Sequence, residues 1–399
     1  MKRSAQVVVT GTVFVDLLGF GIILPQLPYY AERLGASGTW VGLLLTAYSA
    51  AQLVSTPVLG ALSDRYGRRP LLLLSLFGST VSLALAGLAD TLPLLLLTRL
   101  LAGLFGGSIS VAQAYVADVV PEEGRTRALG LLGAAIGMGF VLGPALGAAL
   151  APFGFATATF AAAALAAANL VLAWFRLVEP ARTEERRPER RPGVLAGLRA
   201  ALGVTGASPV MAAMFLSMFA FASMEAVFAL LGERRFGLGG SGLGLVFAAV
   251  GVVTAVVQGG LVGRLARRWG DRSVAVAGAL LMAGSLAALP WAPAPAAYVA
   301  LGLLAAGQGL ITPTLTSVLS GLTAQRGRGS LLGIGQSVSA AARGVGPLCA
   351  GVLFDVGAGT PFYLAAVLAA VAAVTLLAFA GGQDDHNRPQ WTEETRRHG

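Results

Sequence analysis

Twelve long apolar runs dominate the chain and decide what it can fold into. They cover Val7 to Tyr29, Trp40 to Leu62, Leu71 to Ala89, Leu92 to Ala117, Ala128 to Ala151, Phe155 to Phe175, Val210 to Leu231, Gly242 to Val262, Val274 to Trp291, Ala297 to Leu319, Leu331 to Phe354 and Pro361 to Ala380. A helix that crosses the hydrocarbon core of a bilayer needs about 20 apolar residues, and each run is close to that length. The runs are continuous rather than alternating, so each satisfies its own backbone as a helix and none reads as a barrel strand. Composition agrees: 56% of residues are hydrophobic and 12% charged, against about 25% charged in an ordinary soluble domain. The expected fold is an all-α membrane protein of 12 transmembrane helices. The opening MKRSAQVVVTGTVFV imitates a secretory signal, but Asp16 interrupts its apolar region and no A-x-A site follows. It therefore reads as a retained first helix.

Basic residues set the orientation. With the N-terminus inside, the inner loops and both tails hold 23 Lys and Arg, while the opposite side holds Arg33, Arg234 and Arg235. The positive-inside rule then places both termini in the cytoplasm. The net charge of +9 is explained by that asymmetry and calls for no nucleic-acid partner. The chain also repeats: Gly60, Gly67, Gly130, Gly143 and Pro144 recur 203 positions later as Gly263, Gly270, Gly333, Gly346 and Pro347. Two six-helix halves are implied, residues 1–178 and 209–381. The segment 179–208, containing EERRPERRPG, reads as a polar cytoplasmic linker, and 382–399 as a disordered tail.

Four segments carry a resemblance. GALSDRYGRRP, Gly60 to Pro70, matches the pattern G-x-L-x-D-R-x-G-R-[RK] between the second and third helices, and GRLARRWGDR, Gly263 to Arg272, is its decayed copy. LLTRLLAGLFGG, Leu96 to Gly107, places Arg99 inside the fourth helix; GMGFVLGPALGA, Gly137 to Ala148, lies in the fifth; VFVDLLGFGIILPQLP, Val13 to Pro28, in the first. In this order they resemble the major facilitator superfamily, and within it the 12-helix tetracycline and multidrug drug/proton antiporters. The resemblance spans nearly the whole chain. It implies a proton-coupled exporter of small lipophilic or cationic compounds that works by alternating access.

Each segment also has a reading of its own. Gly67 permits a tight turn, Pro70 suits the first position of the third helix, and Arg65, Arg68 and Arg69 pin the loop to the cytoplasm. The loop either sets topology alone or, as the resemblance implies, serves as a conformational switch, with Asp64, Arg68 and Asp118 forming a charge cluster that latches the halves in one state. Gly139, Gly143 and Gly147 are spaced for close helix packing, and Pro144 introduces a kink. The resemblance adds that this fifth helix runs along the interface between the halves.

Only Asp16, Glu225, Arg99 and Arg343 fall within the apolar cores of the spans. A charge there costs roughly 3 kcal/mol on insertion scales, so each needs a reason. Structural ion pairing is one. Proton transport is the other, because burial favours a protonated carboxylate and a nearby arginine an ionised one, and coupling needs a group that feels both in turn. Asp16 is the leading proton carrier, Glu225 a second carrier or a cation-substrate site, and Arg99 the residue that modulates Asp16. Gln52, Gln113, Asn169, Gln258, Gln308 and Gln336 are polar candidates for a central cavity or for helix-to-helix hydrogen bonds. Tyr48, Phe215, Phe219 and Met224 are their aromatic or soft neighbours, and Arg343 is a further cavity candidate.

Absences weaken other functions. The only lysine is Lys2, and both histidines, His386 and His398, lie in the tail. There is no P-loop lysine, histidine triad or HExxH pattern, so neither an enzyme nor a metal site is expected, and no cofactor. GLGGSG, Gly237 to Gly242, lacks the preceding strand of a dinucleotide loop. The single Cys349 forms no intramolecular disulfide. The expected partners are a small-molecule substrate, protons and the lipid bilayer, with the chain working as a monomer. Arginine in place of nearly all lysine, with abundant alanine and glycine, points to a GC-rich bacterium and its inner or plasma membrane. The competing reading is a proton symporter or facilitator that imports a metabolite such as a sugar or organic acid, with Arg99 and Arg343 as anion partners.

Overall fold

A computed structural model describes residues 2–180, 199, 203–322 and 325–384. Most of the segment read as a linker (181–198 and 200–202) and most of the tail (385–399) lie outside the described residues. Among the described residues every regular element is helical, and twelve helices are long and apolar enough to cross a membrane. They are α1 (Ala5–Arg33), α2 (Gly38–Tyr66), α3 (Arg68–Gly87), α4 (Leu92–Val119), α5 (Arg127–Phe153), α6 (Phe155–Arg176), α7 (Ala207–Phe236), α8 (Gly240–Trp269), α9 (Asp271–Ala288), α10 (Ala294–Gly321), α11 (Leu331–Val356) and α12 (Thr360–Ala378).

The expected loop at Gly60 to Pro70 is almost absent. Asp64 and Arg65 ride the last turn of α2, Arg68 and Arg69 open α3, and Gly67 alone joins them at φ +109°. That dihedral suits glycine and strains other residues. Pro70 is therefore the third residue of its helix, still in the first turn where its missing N–H leaves no gap. Gly270, at φ +78°, makes the same joint between α8 and α9. At the far end, the helix containing α12 continues to Asp384, so Gly382 to Asp384, read as the start of a disordered tail, are helical.

The packing repeats as the sequence does. In the first half α1 packs on α5, α2 on α4 and α3 on α6; in the second, α7 packs on α11, α8 on α10 and α9 on α12. Two seams join the halves, α2 against α11 and α5 against α8, and the repeat exchanges one seam for the other.

Both seams are tight at one end. The Gly38 N–H donates to Asp355 Oδ1 at 2.7 Å, and Leu348 N–H donates to Thr46 Oγ1 at 3.1 Å. Tyr29 Oη donates to the Leu238 carbonyl at 2.7 Å, and Arg234 pairs with Glu32 at 3.7 Å. A methyl on Gly244 of α8 would meet the Pro144 carbonyl and Ala148 of α5, both at 2.7 Å. Toward the opposite end, by contrast, Gly60 of α2, Gly130 and Gly133 of α5, Gly259 and Gly260 of α8 and Gly333 of α11 have no heavy atom within 4 Å of such a methyl. The halves close at the Gly38 end and splay apart at the Gly67 end, which leaves a cleft between them.

Candidate functional site

Three spans are interrupted within their length, and one interruption builds a site. α4 consists of two helical segments, Leu92–Leu104 and Ser108–Val119, separated by a turn at Phe105 to Gly107. The turn interrupts the backbone ladder of α4, and α2 donates to it there: Ser55 Oγ to the Gly103 carbonyl at 2.9 Å, which also accepts the Gly106 N–H, and Gln52 Nε2 to the Gly106 carbonyl at 2.8 Å. Phe105 packs where any side chain at Gly78 of α3 would stand. The break is thereby held between two neighbours. The other interruptions are a turn at Leu24 to Gln26 in α1 and a π-helical turn, Val257–Leu261, in α8 beside exposed Gln258.

At the break lies Asp16. Ser108, the first residue of the second α4 segment, donates its hydroxyl to Asp16 Oδ2 at 2.6 Å. Asp16, Tyr48, Gln52, Ser79, Ser82, Arg99 and Ser108 line one cavity of about 40 Å³. That is room for a few waters, at roughly 10–15 Å³ of occupied space for the first, and not for a drug-sized molecule. Arg99 is buried, 4% exposed, and its Nε and Nη2 have no hydrogen-bond partner. It faces the same small cavity as Asp16, yet no ion pair joins the two among the described residues. The pairing left open by the sequence is therefore absent in this conformation, and the carboxylate is held by a hydroxyl instead.

In the second half Glu225 of α7 is half-buried, and Arg343 is exposed although it sits midway along α11. Arg343 lies within electrostatic range of both Glu225 and Tyr48, the latter on the other half, so it faces the cleft rather than lipid. Its Nη1 lies 3.7 Å from Met218 Sδ of α7, and on the same helix the Phe215 and Phe219 rings lie tilted by 35° at 6.1 Å between centres. Tyr48 is in turn within range of Asp16 and Arg99, which makes it the link between the charges of the two halves.

Gln336, two helical turns before Arg343, shares its face and is exposed. Gln113 is exposed on the second segment of α4. Four cavity candidates are buried, Phe219 at 7% exposed among them. Met224, 1% exposed, belongs to the apolar core. Asn169 is buried and donates to the Thr12 carbonyl at 2.9 Å, tying α6 to α1. Gln308 is buried and turns back to Thr312 on its own helix at 3.2 Å.

At the Gly67 end, Arg68 bridges Asp64 at 2.5 Å and Asp118 at 2.8 Å. Among the described residues these bonds lie within the first half, where they tie α2, α3 and α4 together. Gly60 has open space around it, Arg65 lies over the Tyr66 ring, and Arg69 donates to the Trp174 carbonyl at 2.6 Å. Sequence reasoning missed Glu179. Its carboxylate accepts the N–H groups of Arg68 and Arg69 at 2.7 and 2.8 Å, capping α3 and lying where a side chain on Gly67 would point. It missed Asp355 and Ser108 as well; a hydroxyl opposite a membrane carboxylate was the one readable signal.

The fifth-helix glycines face inward. Methyls on Gly139 and Gly143 would stand 2.7 Å from Leu17 Cβ and Gly21 Cα, and one on Gly147 would meet the Ile22 carbonyl, all on α1. The stripe therefore serves packing within a half, while the other face of α5, with Val141 and Ala148, meets α8 at the seam. The helix runs unbroken through Pro144.

The sequence profile of the Major Facilitator Superfamily matches residues 9–301 and 235–397. The chain belongs to the Major Facilitator Superfamily. It is 32% identical over 363 residues to the class C tetracycline resistance protein of Escherichia coli, covering 90% of this chain and 92% of that one. It is 29% identical over 391 residues to multidrug resistance protein 1 of Bacillus subtilis, covering 95% and 97%. Among solved structures, the human organic anion transporter MFSD10 superposes with a TM-score of 0.70 at 27% identity, over 94% of this chain and 99% of that one. A D-xylose–proton symporter superposes at 0.74 with 16% identity, over 94% and 97%, a likeness of fold. The chain is thus a multi-pass membrane transporter of small molecules, and the two-half, twelve-helix architecture is that of its family.

Proposed function

We propose that this transporter is a proton-coupled exporter of small lipophilic or cationic compounds, set in a bacterial cytoplasmic membrane and working by alternating access. One observation carries the reading: Asp16 sits in a small polar cavity beside Arg99 without pairing to it, held by the Ser108 hydroxyl. A carboxylate free to gain a proton, with an arginine near enough to displace it, is what proton coupling needs. The excess of basic residues at the Gly67 end supports placing that end in the cytoplasm, with the cleft open inward and residues 179–208 and the tail on the same side. Similarity to tetracycline and multidrug resistance proteins supports export.

The driving force separates substrate classes. One proton moving inward down 100 mV and one pH unit supplies about 3.7 kcal/mol, enough for a roughly 500-fold gradient of a neutral compound. For a monovalent cation the charges cancel, leaving about 1.4 kcal/mol and a roughly tenfold gradient. Proteoliposomes with an imposed pH gradient, with tetracycline or ethidium as probe, test the reading. Asp16→Asn is expected to abolish uphill movement while downhill exchange persists; undiminished uphill movement in Asp16→Asn refutes it.

The import reading rests on exposed Arg343 and on the likeness to an organic anion transporter. Proton-driven uptake of an organic acid that Arg343→Gln removes, with no movement of tetracycline or ethidium, favours it over export.

A further inference from the structure

The break in α4 joins two parts of the molecule that the proposed mechanism must connect. On one side of it Ser108 holds Asp16. On the other, Gln52 of α2 donates to the Gly106 carbonyl at 2.8 Å and to Tyr48 Oη at 3.2 Å. Gly103 has no room for a side chain against the Tyr48 carbonyl, so α2 and α4 are in backbone contact at this level. The same α2 carries, in its first turns, the Gly38, Thr39 and Thr46 groups bonded to α11. The helix that is bonded to α11 at the Gly38 end is therefore the one whose Gln52 and Ser55 hold the break.

We propose that Gln52 is a positioning residue for the proton site: its bond to Gly106 fixes the α4 break, and thereby couples the hydrogen bond from Ser108 to Asp16 with the state of the α2–α11 seam. The inference rests on Asp16 being the proton carrier. The polar groups lining the cavity around Asp16 are Tyr48 and Gln52 itself from α2, Ser79 and Ser82 from α3 and Arg99 and Ser108 from α4; no titratable group of α5 or α6 lines it. Of these, the donors to the ionised carboxylate are hydroxyls, and the loss of a donor favours the protonated form. The N-terminus of the second α4 segment adds to the same effect while the break keeps it aimed at Asp16. With the break released, both are weakened together.

The test needs no substrate. Unfolding temperature is followed against pH in detergent for the unsubstituted protein, Asp16→Asn, Ser108→Ala, Gln52→Leu and the Gln52→Leu/Ser108→Ala pair. The difference between each protein and its Asp16→Asn counterpart isolates the titration of Asp16. Gln52→Leu is expected to move the midpoint to higher pH by about one unit, as Ser108→Ala does, and the pair to move it no further. Gln52→Asn, too short to reach Gly106, is expected to do the same and serves if the leucine variant does not fold. An unmoved midpoint in the Gln52 variants, or shifts that add in the pair, overturns the proposal. A flat difference in the unsubstituted protein overturns it together with the role of Asp16. A coupled midpoint shift without pH-driven movement of tetracycline or ethidium supports the positioning role and refutes the exporter alone.

Discussion

Thr39 donates both its backbone N–H and its hydroxyl to a single oxygen of Asp355, at 2.8 and 2.6 Å. With the Gly38 N–H on the other oxygen, the carboxylate caps the start of α2 from the opposite half of the molecule. It is a clasp that exists only while the Gly38 end is closed.

Asp355→Ala is expected to loosen that end. A hydrogen bond to a charged group contributes about 1.5–3 kcal/mol when buried, but Asp355 is exposed, so a net of about 1 kcal/mol, a roughly fivefold change in the closed-to-open ratio, is the expected effect. Spin labels at Ala36 and Ala358, in a Cys349→Ser background, read it as growth of a longer-distance population. An unchanged distance distribution argues against the clasp.

Asp64→Asn separates a switch from a structural pair. Asp64 is 49% exposed, so its bond to Arg68 is worth no more than about 1 kcal/mol of stability. Under the proposed export function, movement of the probe in proteoliposomes is expected to fall at least roughly tenfold with unfolding temperature almost unchanged, as befits a group needed to move between states. Full transport by the variant contradicts a switching role.

Glu179→Ala removes the cap of α3. The loss is expected to cost about 1 kcal/mol, the usual worth of an N-terminal cap, read as a lower unfolding temperature. Because the N–H groups of Arg68 and Arg69, next to Gly67, are held by that carboxylate, protease nicking at the α2–α3 joint is expected to rise in parallel. Stability equal to that of the unsubstituted protein contradicts the capping role.

Gly143→Ala and Gly244→Ala test which face of α5 does what. Gly143 meets Gly21 within one half, and a methyl there is expected to cost about 1–3 kcal/mol of stability. Gly244 meets α5 across the seam, so its methyl is expected to shift the population toward opening at the Gly38 end, read by labels at Ala36 and Ala358, with little effect on unfolding. Equal loss of stability in both contradicts the division.

Much of the fold was legible because lipid imposes it: a chain with twelve apolar runs has few options, and the register of 203 positions between Gly67 and Gly270 foretold that α2–α3 and α8–α9 share one joint. The meeting of Asp16 with Arg99 was legible for the same reason, since charge in a membrane is rare enough to be conspicuous. Between the two readings open for Asn169 the structure takes the helix-to-helix bond, whereas Met224 and Gln308 turned away from any cavity, because a helix apolar nearly all round gives no sign of which face meets a neighbour. Asp355 and Thr39, near the ends of their spans, look like ordinary surface polarity. Their pairing depends on which end of the bundle is shut, and no local pattern encodes that. The glycine stripe of α5 showed close packing but not its partner, which lay in α1.

A joint of one residue at Gly67 has no slack. α2 and α3 must travel as a single lever, and a tilt at the Thr39 clasp arrives undiminished at Arg68 about 40 Å away, at about 1.5 Å per residue along the helix. An inserted residue at that elbow would let the lever flex, and the two ends of the protein would lose their means of answering one another.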